Sequence, residues 1–232
     1  MKVIDSVFWM IIYTIVATQL TNADVTLRLH REGSHRSILL SEKVRNFLRL
    51  WGYCNHGMQT KEWIPVHRKH HRYVESNEDP HSPVVYSWWQ ILFFGVYYYK
   101  RAANDKESLK PFMDGLFLHK YEEYFERHTW HGIGAMLVFD LILFGLPGGI
   151  VWLIQILWIP IVGAGVINGI GHTVFYRNHE TKDRSHNILP IGFLIGGEEL
   201  HNNHHTDPNS AKFSKKFWEF DMGWLWIKVL ET

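Results

Sequence analysis

The chain has 232 residues and one cysteine, Cys54, which excludes an intrachain disulfide and bounds the molecule at a single domain with a sizeable core. A formal net charge of +1, with no basic tail and no low-complexity run, excludes an electrostatic reason for nucleic acid as a partner. Aromatic residues make up 15% of the chain, a composition suited to a lipid–water interface, and very apolar blocks alternate with polar, histidine-rich ones.

The stretch 3–25 is largely apolar around Val7-Phe8-Trp9-Met10-Ile11-Ile12-Tyr13. It has about the 20 residues that a membrane-spanning helix needs. A cleaved signal peptide fits the same residues, with Lys2 at its start and Thr21-Asn22-Ala23 as a small-residue cleavage site. His30 and His35 follow, and on an unbroken α-helix residues five apart point about 140° away from each other. A break at Gly33-Ser34 is therefore expected to bring the two rings together.

In 39–63, Val44, Phe47, Leu48, Leu50 and Trp51 alternate with Lys43, Arg45 and Arg49, the pattern of an amphipathic helix lying on the membrane interface. A helix packed on a soluble core fits that periodicity equally. His67, His70 and His71 stand at i, i+3 and i+4, so on a helix all three imidazoles leave one face. Asp79-Pro80-His81-Ser82-Pro83, with two prolines, is expected to end that helix. The apolar stretch 87–99 is too short to span and reads as re-entrant or interfacial. The charged stretch 100–127 reads as solvated helix and loop with no chemistry assigned.

A second apolar block, 132–171, is divided by Pro147-Gly148-Gly149, which predicts a hairpin of two spans at about 132–146 and 150–171. Asp140 is costly in lipid and should face the interior, as a functional group or a structural hydrogen bond. The hairpin returns Asn168 and His172, which at i and i+4 are expected on one helix face at the depth of the histidine clusters. The third cluster, Gly197-Glu198-Glu199-Leu200-His201-Asn202-Asn203-His204-His205, repeats the i, i+3, i+4 spacing. A tail with Phe217, Trp218, Phe220, Trp224 and Trp226 among lysines either covers the site or anchors the domain. Apart from Lys2, every Lys and Arg lies within 28–127 or from Arg177 onward, and the loop at Pro147 has none. By the positive-inside rule the histidines are cytoplasmic.

These elements predict an all-α integral membrane bundle, one domain over 1–232, with about three spans, interfacial helices and a cytoplasmic histidine-rich cap from 28–130 and 172–232. Nine histidines are candidate metal ligands: His30, His35, His67, His70, His71, His172, His201, His204 and His205. That is too many for one ion and about right for two. Imidazole suits zinc, iron, copper or nickel. With no cysteine ligand and an apolar interior alongside, iron used for dioxygen chemistry on a hydrophobic substrate is the favoured reading. His56, His81, His119, His128, His131, His179 and His186 read as surface or hydrogen-bonding residues, His81 being the strongest exception.

The three clusters, H-x4-H, H-x2-H-H and H-x2-H-H, with Asn168-Gly169-Ile170-Gly171-His172, resemble the membrane-bound fatty acyl desaturase family, in particular the Δ9 (stearoyl-type) acyl desaturases and their bacterial members. The resemblance runs from His30 to the end of the chain. It implies a di-iron centre held by the nine histidines named above, with Asn168 reaching one iron through water. It also implies dioxygen as co-substrate, and hydrogen removed from two neighbouring methylenes of a saturated acyl chain to leave a cis double bond. The acyl group would ride on coenzyme A, an acyl carrier protein or a phospholipid. Against the animal members two differences are expected: one span rather than two precedes His30, so that either a helix is absent or the N-terminus is incomplete, and a fused haem domain is not expected, which makes a separate carrier and reductase the expected electron source. A bacterial inner membrane is the expected location.

Glu198, Glu199 and Asp207 are candidates to offset the charge of the metals. The acyl chain is expected between the first span and the hairpin, with Thr14, Ala17 and Thr18 setting its depth. Two other outcomes fit parts of the pattern: an acyl or lipid hydroxylase on the same metal site, and a histidine-rich membrane metal transporter or sensor. The last places its ligands within the span rather than at its edge.

Overall fold

The computed structural model describes residues 7–230, and helices make up most of it. Residues 3–6 of the expected first span lie outside the described residues. Helix α1 (Val7–Ala23) is apolar on all sides. Its outer residues, Phe8, Trp9, Ile12 and Ile15 among them, are exposed, while Ala17, Thr18, Thr21 and Asn22 are buried against its neighbours. The helix does not stop where the charges begin. It continues from Asp24 to Ser34 in a wider winding with i→i+5 hydrogen bonds, and every residue of that stretch is buried.

Burying so polar a segment requires each charge to find a partner. Arg28 pairs with Asp24, whose other oxygen lies 2.8 Å from His56 Nε2. Arg31 pairs with Asp221 at 3.0 Å and Glu32 with Arg45 at 2.7 Å. Gly52 is required at this crossing, because a Cβ there would collide with the Asp24 carboxylate and the His56 ring. The expected break at Gly33-Ser34 is thus replaced by π winding. An i→i+5 turn stacks residues five apart, and His35 N–H donates to the His30 carbonyl at 3.1 Å.

Helix α2 (Glu42–Asn55) is capped by Ser41, whose hydroxyl accepts from Val44 N–H. It turns Leu48, Arg49, Gly52 and Tyr53 inward and leaves Phe47 and Leu50 about half exposed, so it packs on the helical body and also presents apolar side chains outward. Helix α3 (Thr60–Tyr73) carries the second histidine cluster. It ends at Tyr73, before the two prolines expected to stop it, with Glu75 at φ 60°. Pro83 instead opens the short helix α4 (Pro83–Tyr86), as a residue without an N–H is suited to do.

Helix α5 (Trp88–Asn104) is longer than the interfacial segment expected, 17 residues, with Ile91, Gly95 and Ala103 buried. The short helices α6 (Lys106–Leu109) and α7 (Glu122–Arg127) fill the polar connection. That connection is not simply solvated: the Arg49 guanidinium donates to the Glu122 carboxylate at 2.7 Å, and both side chains are buried.

The hairpin follows, with α8 (Thr129–Phe144) and α9 (Gly148–Trp158) packed on each other. Gly148 allows the close approach, since a Cβ would strike the Asp140 carbonyl. Asp140 is fully buried and accepts a hydrogen bond from the Tyr13 hydroxyl at 2.7 Å, the structural alternative of its two readings. The α9 helix passes into a second π-wound stretch, Ile159–Ile167, and then a tight turn, Ile170–His172. Taken together, Gly148–His172 is the one stretch among the described residues that is long and apolar enough to cross a membrane by itself. The α8 helix is apolar but shorter. Outward faces of the hairpin are apolar, with Leu146 90% exposed and Ile142 and Ile150 64% exposed, an apolar surface larger in character than scattered single residues.

The C-terminal third is mostly loop. A parallel pair, β1 (Ile191–Gly192) and β2 (Phe220–Asp221), ties the loop before the third cluster to the tail. The six-residue helix α10 (His201–Thr206) carries that cluster, and α11 (Met222–Leu230) packs Ile227 on Ala23, Leu27 and Leu48.

Candidate metal centre

All nine histidines singled out from the sequence meet in the interior, in two adjoining groups. His30, His35, His67, His71 and His204 offer five nitrogens within 4.8 Å of one another, and His70, His172, His201 and His205 offer four more within the same distance. The groups adjoin through His71 and His205, whose ring centroids are 4.7 Å apart.

Local structure delivers the rings. The π winding sets His30 and His35 edge to face at 4.7 Å. The i, i+3, i+4 spacing on α3 splits its three rings, with His67 and His71 in the five-histidine group and His70 in the other. On α10 the same spacing sends His204 one way and His201 and His205 the other. The tight turn after the second π stretch inserts His172, which is 1% exposed. Asn168 is half-buried one turn earlier and lines the cavity described below together with His201. The helix changes winding between Asn168 and His172, so the expected common α-helical face does not exist, although both residues border the site.

Four of the rings are held from behind by carboxylates. His30 Nδ1 donates to Glu198 at 2.7 Å, His70 Nδ1 to Asp79 at 2.9 Å, His172 Nδ1 to Glu75 at 3.1 Å, and His205 Nδ1 to Asp183 at 2.9 Å. With Nδ1 carrying the proton, each Nε2 presents a lone pair to the interior. His70 Nε2 and His205 Nε2 are buried with no hydrogen-bond partner. The other Nε2 atoms face one another: His30 to His204 at 3.1 Å, His204 to His71 at 3.0 Å, His35 to His67 at 3.0 Å, and His201 to His172 at 2.9 Å.

Inward lone pairs repel unless a cation lies between them, so the donor set fits metal ions. Two nitrogens about 2.1 Å from one metal are roughly 3.0 Å apart at a right angle and roughly 3.4 Å apart at a tetrahedral one. The observed 2.9–3.1 Å matches the right angle.

Burial keeps six of the nine rings neutral and ready to ligate. It holds His35, His67, His71, His201 and His204 well below the ordinary histidine value, and His205 at about 4, with repulsion among neighbouring rings acting in the same direction. Burial alone would raise the carboxyl groups of Asp79, Asp183 and Glu198, yet the histidines they touch hold all three below the usual carboxylate range.

Of the three carboxylates proposed from sequence to offset metal charge, only Glu198 reaches a ring. Glu199 turns back to accept the main-chain N–H groups of Ile195 and Gly197, and burial pushes it up to about 7. Asp207 is half-exposed and pairs with Lys215. Glu75, Asp79 and Asp183 were missed. Asp79 alone had a local signal, the Asp79-Pro80-His81 turn. His81 is itself buried beside His70, with Nε2 unpartnered, and burial drives it down to about 3. His56 is likewise an interior residue, paired with Asp24.

An apolar cavity of about 190 Å³ reaches the histidines. Its walls come from α3 (Trp63, Val66), α5 (Ile91, Gly95, Tyr99) and the second π stretch (Ile159, Gly163, Ile167), and His30, His67 and His201 line it as well. Thr14, Ala17 and Thr18 do not line it, which corrects the expectation that α1 sets its depth. From the first helix, only Val25 and His30 on its π-wound extension contribute. The tail closes the other side of the site: Phe213 is buried with its ring 4.7 Å from His204, and the exposed Phe217 and Trp218 take no part.

The sequence family described as fatty acid desaturase matches residues 6–224. The chain is 28% identical over 216 residues to the sn-1 stearoyl-lipid 9-desaturase of Anabaena variabilis, covering 89% of this chain and 75% of that protein. It is 28% identical to a protein of the same description from Synechocystis, and 32% identical to an acyl-CoA C20 Delta5-desaturase of Anemone leveillei. In both pairs 89% of this chain is matched, and it spans 64% and 65% of those relatives' lengths.

Proposed function

The chain belongs to the fatty acid desaturase family, oxidoreductases that act as acyl desaturases, and from that premise we propose that it inserts a cis double bond into a saturated acyl chain at a di-iron centre. The observation that carries this reading is the union of two buried imidazole groups with an apolar cavity that members of both line. An unactivated methylene has no acidic proton, so acid–base or nucleophilic residues have nothing to act on. A pair of irons supplies, with dioxygen and electrons, the oxidising power to remove two hydrogens.

The nine histidines are the ligands, and Asn168 reaches the four-histidine position through water. Glu75, Asp79, Asp183 and Glu198 keep Nδ1 protonated and Nε2 aimed inward. The walls at Ile91, Gly95 and Ile167 align the acyl chain and exclude water, and Trp63, stacked flat on His67 at 4.8 Å, fixes that ring. Two of the three relatives named above are 9-desaturases, which favours Δ9 as the site of the double bond, while the third is a Delta5-desaturase; their names carry either a lipid-linked or a coenzyme A-linked acyl group. Three spans, 3–25, 132–146 and 150–171, leave the histidines cytoplasmic in a bacterial inner membrane, where a separate reductase and carrier deliver electrons.

Expression in a host that makes only saturated acyl chains tests the proposal. New monounsaturated fatty acids together with about two irons per chain are expected from nine ligands. Hydroxy acids in their place, or no change in the presence of both irons and an electron donor, overturn it.

A further inference from the structure

The two histidine groups differ in charge. At the five-histidine group one carboxylate touches a ring, Glu198 on His30, and it is shared with Arg31, whose Nη1 lies 3.5 Å away. Arg68 adds a second cation beside this group, donating to the carbonyls of Gly33 and Ser34 just before His35. At the four-histidine group three of the four rings rest on carboxylates: His70 on Asp79, His172 on Glu75, and His205 on Asp183. Cations do little to offset them. Arg177 bonds Thr181 and the Asp183 main-chain carbonyl, and Arg184 gives Glu75 its main-chain N–H.

A carboxylate behind an imidazole makes the ring a stronger donor and adds negative charge beside the metal. We infer that the two positions are built for unequal charge, so that in a pair holding one ferric and one ferrous ion the ferric ion sits at the four-histidine position. Glu75, Asp79 and Asp183 are positioning residues that set this polarity. The inference rests on the di-iron reading above and adds the order in which the two ions give up an electron.

Two substitutions isolate charge from geometry. Glu75 Oε1 accepts from both His172 Nδ1 at 3.1 Å and Arg184 N at 2.7 Å, and Glu198 Oε1 accepts from His30 Nδ1 and the Thr26 hydroxyl. A glutamine amide oxygen can take each place, so Glu75→Gln and Glu198→Gln remove one charge each while keeping the acceptor. The iron-loaded protein in detergent is titrated with redox mediators and its one-electron-oxidised form examined by Mössbauer spectroscopy.

Glu75→Gln is expected to disfavour the first oxidation about tenfold, a rise of about 59 mV for one electron, and to alter the ferric signal. Glu198→Gln, already offset by Arg31, should move that couple less than about threefold and alter the ferrous signal. Asp183→Asn serves as the second variant at the four-histidine position and should shift the couple in the same direction as Glu75→Gln. A shift from Glu198→Gln equal to or larger than that from Glu75→Gln overturns the inference while leaving two irons in place. A wild-type chain that never holds two irons overturns the di-iron reading and this inference with it.

Discussion

Arg31 joins the first histidine cluster to the tail that covers it, and replacing it with methionine tests how the cap is held. Its side chain is fully buried, with Nη2 at 3.0 and 3.2 Å from the two Asp221 oxygens and Nε donating to the Ala211 carbonyl at 3.0 Å. The guanidinium carbon lies 3.7 Å above the Phe213 ring, which in turn lies against His204. Methionine keeps the stem volume and removes the charge. Asp221, whose side chain is also fully buried, and Glu198 then become uncompensated anions. Breaking a buried pair from one side costs about 3–5 kcal/mol, most of it the penalty of the charge left behind. For a chain of this size each kcal/mol moves the unfolding midpoint by roughly 2–4 °C, so a fall of about 6–20 °C is expected by tryptophan emission in detergent. Asp221 also accepts Phe213 N–H on one oxygen and Trp224 N–H on the other, so Asp221→Asn by itself loses an acceptor as well as the charge. If the unpaired anion is the cause, Arg31→Met costs less in an Asp221→Asn background than in the wild type, and a single variant that loses under about 1 kcal/mol, or an equal cost of Arg31→Met in both backgrounds, refutes the reasoning.

Acid should destabilise the metal-free protein in a definite window. His35, His67, His71, His201 and His204 lie well below the ordinary 6.5 when folded, and His205 and His81 lie at about 4 and 3, so between those values the unfolded chain binds more protons. Their contribution is present above about pH 6.5 and is lost as pH falls from there toward 4; Glu199, raised to about 7, acts oppositely, stabilising at low pH and losing its contribution as pH rises through 7. A midpoint that stays level from pH 7 to 5 would contradict the burial of the cluster. Gly95 lines the cavity with nothing within 4 Å of a Cβ, so Gly95→Leu should fill space without backbone collision and shorten the preferred acyl chain; unchanged product lengths would remove α5 from the cavity wall. Gly52→Ala should cost about 1–3 kcal/mol by pushing the Asp24–His56 pair apart, and a neutral result in thermal unfolding would show that the pair has room to move.

The nine ring positions were legible because a metal site of this kind draws its ligands from local clusters, and i, i+3, i+4 spacing on α3 and α10 needs no knowledge of the rest of the chain. The hairpin was legible for a similar reason: Pro147 and Gly148 interrupt an apolar run where the chain must reverse. The winding of Asp24–Ser34 was not, since apolar periodicity carries the faces of a helix but not the register of its hydrogen bonds. Its burial depends on Asp221, 190 residues away, and on Arg45 from another helix.

The same distinction explains the carboxylates. Glu199 and Asp207 flank the third cluster in sequence, but a six-residue helix gives its neighbours no common direction, and they bond elsewhere. Glu75 reaches His172 across 97 residues because the chain takes a positive φ at Glu75 itself, placing its carboxylate between a ring and the main-chain N–H of Arg184. Which residues bind is thus written in short spacings, whereas the charge around each position is set by contacts between distant segments. Two chains with the same histidine spacing can therefore differ in how they share charge between the metals, and Glu75 and Glu198 are where that difference would arise.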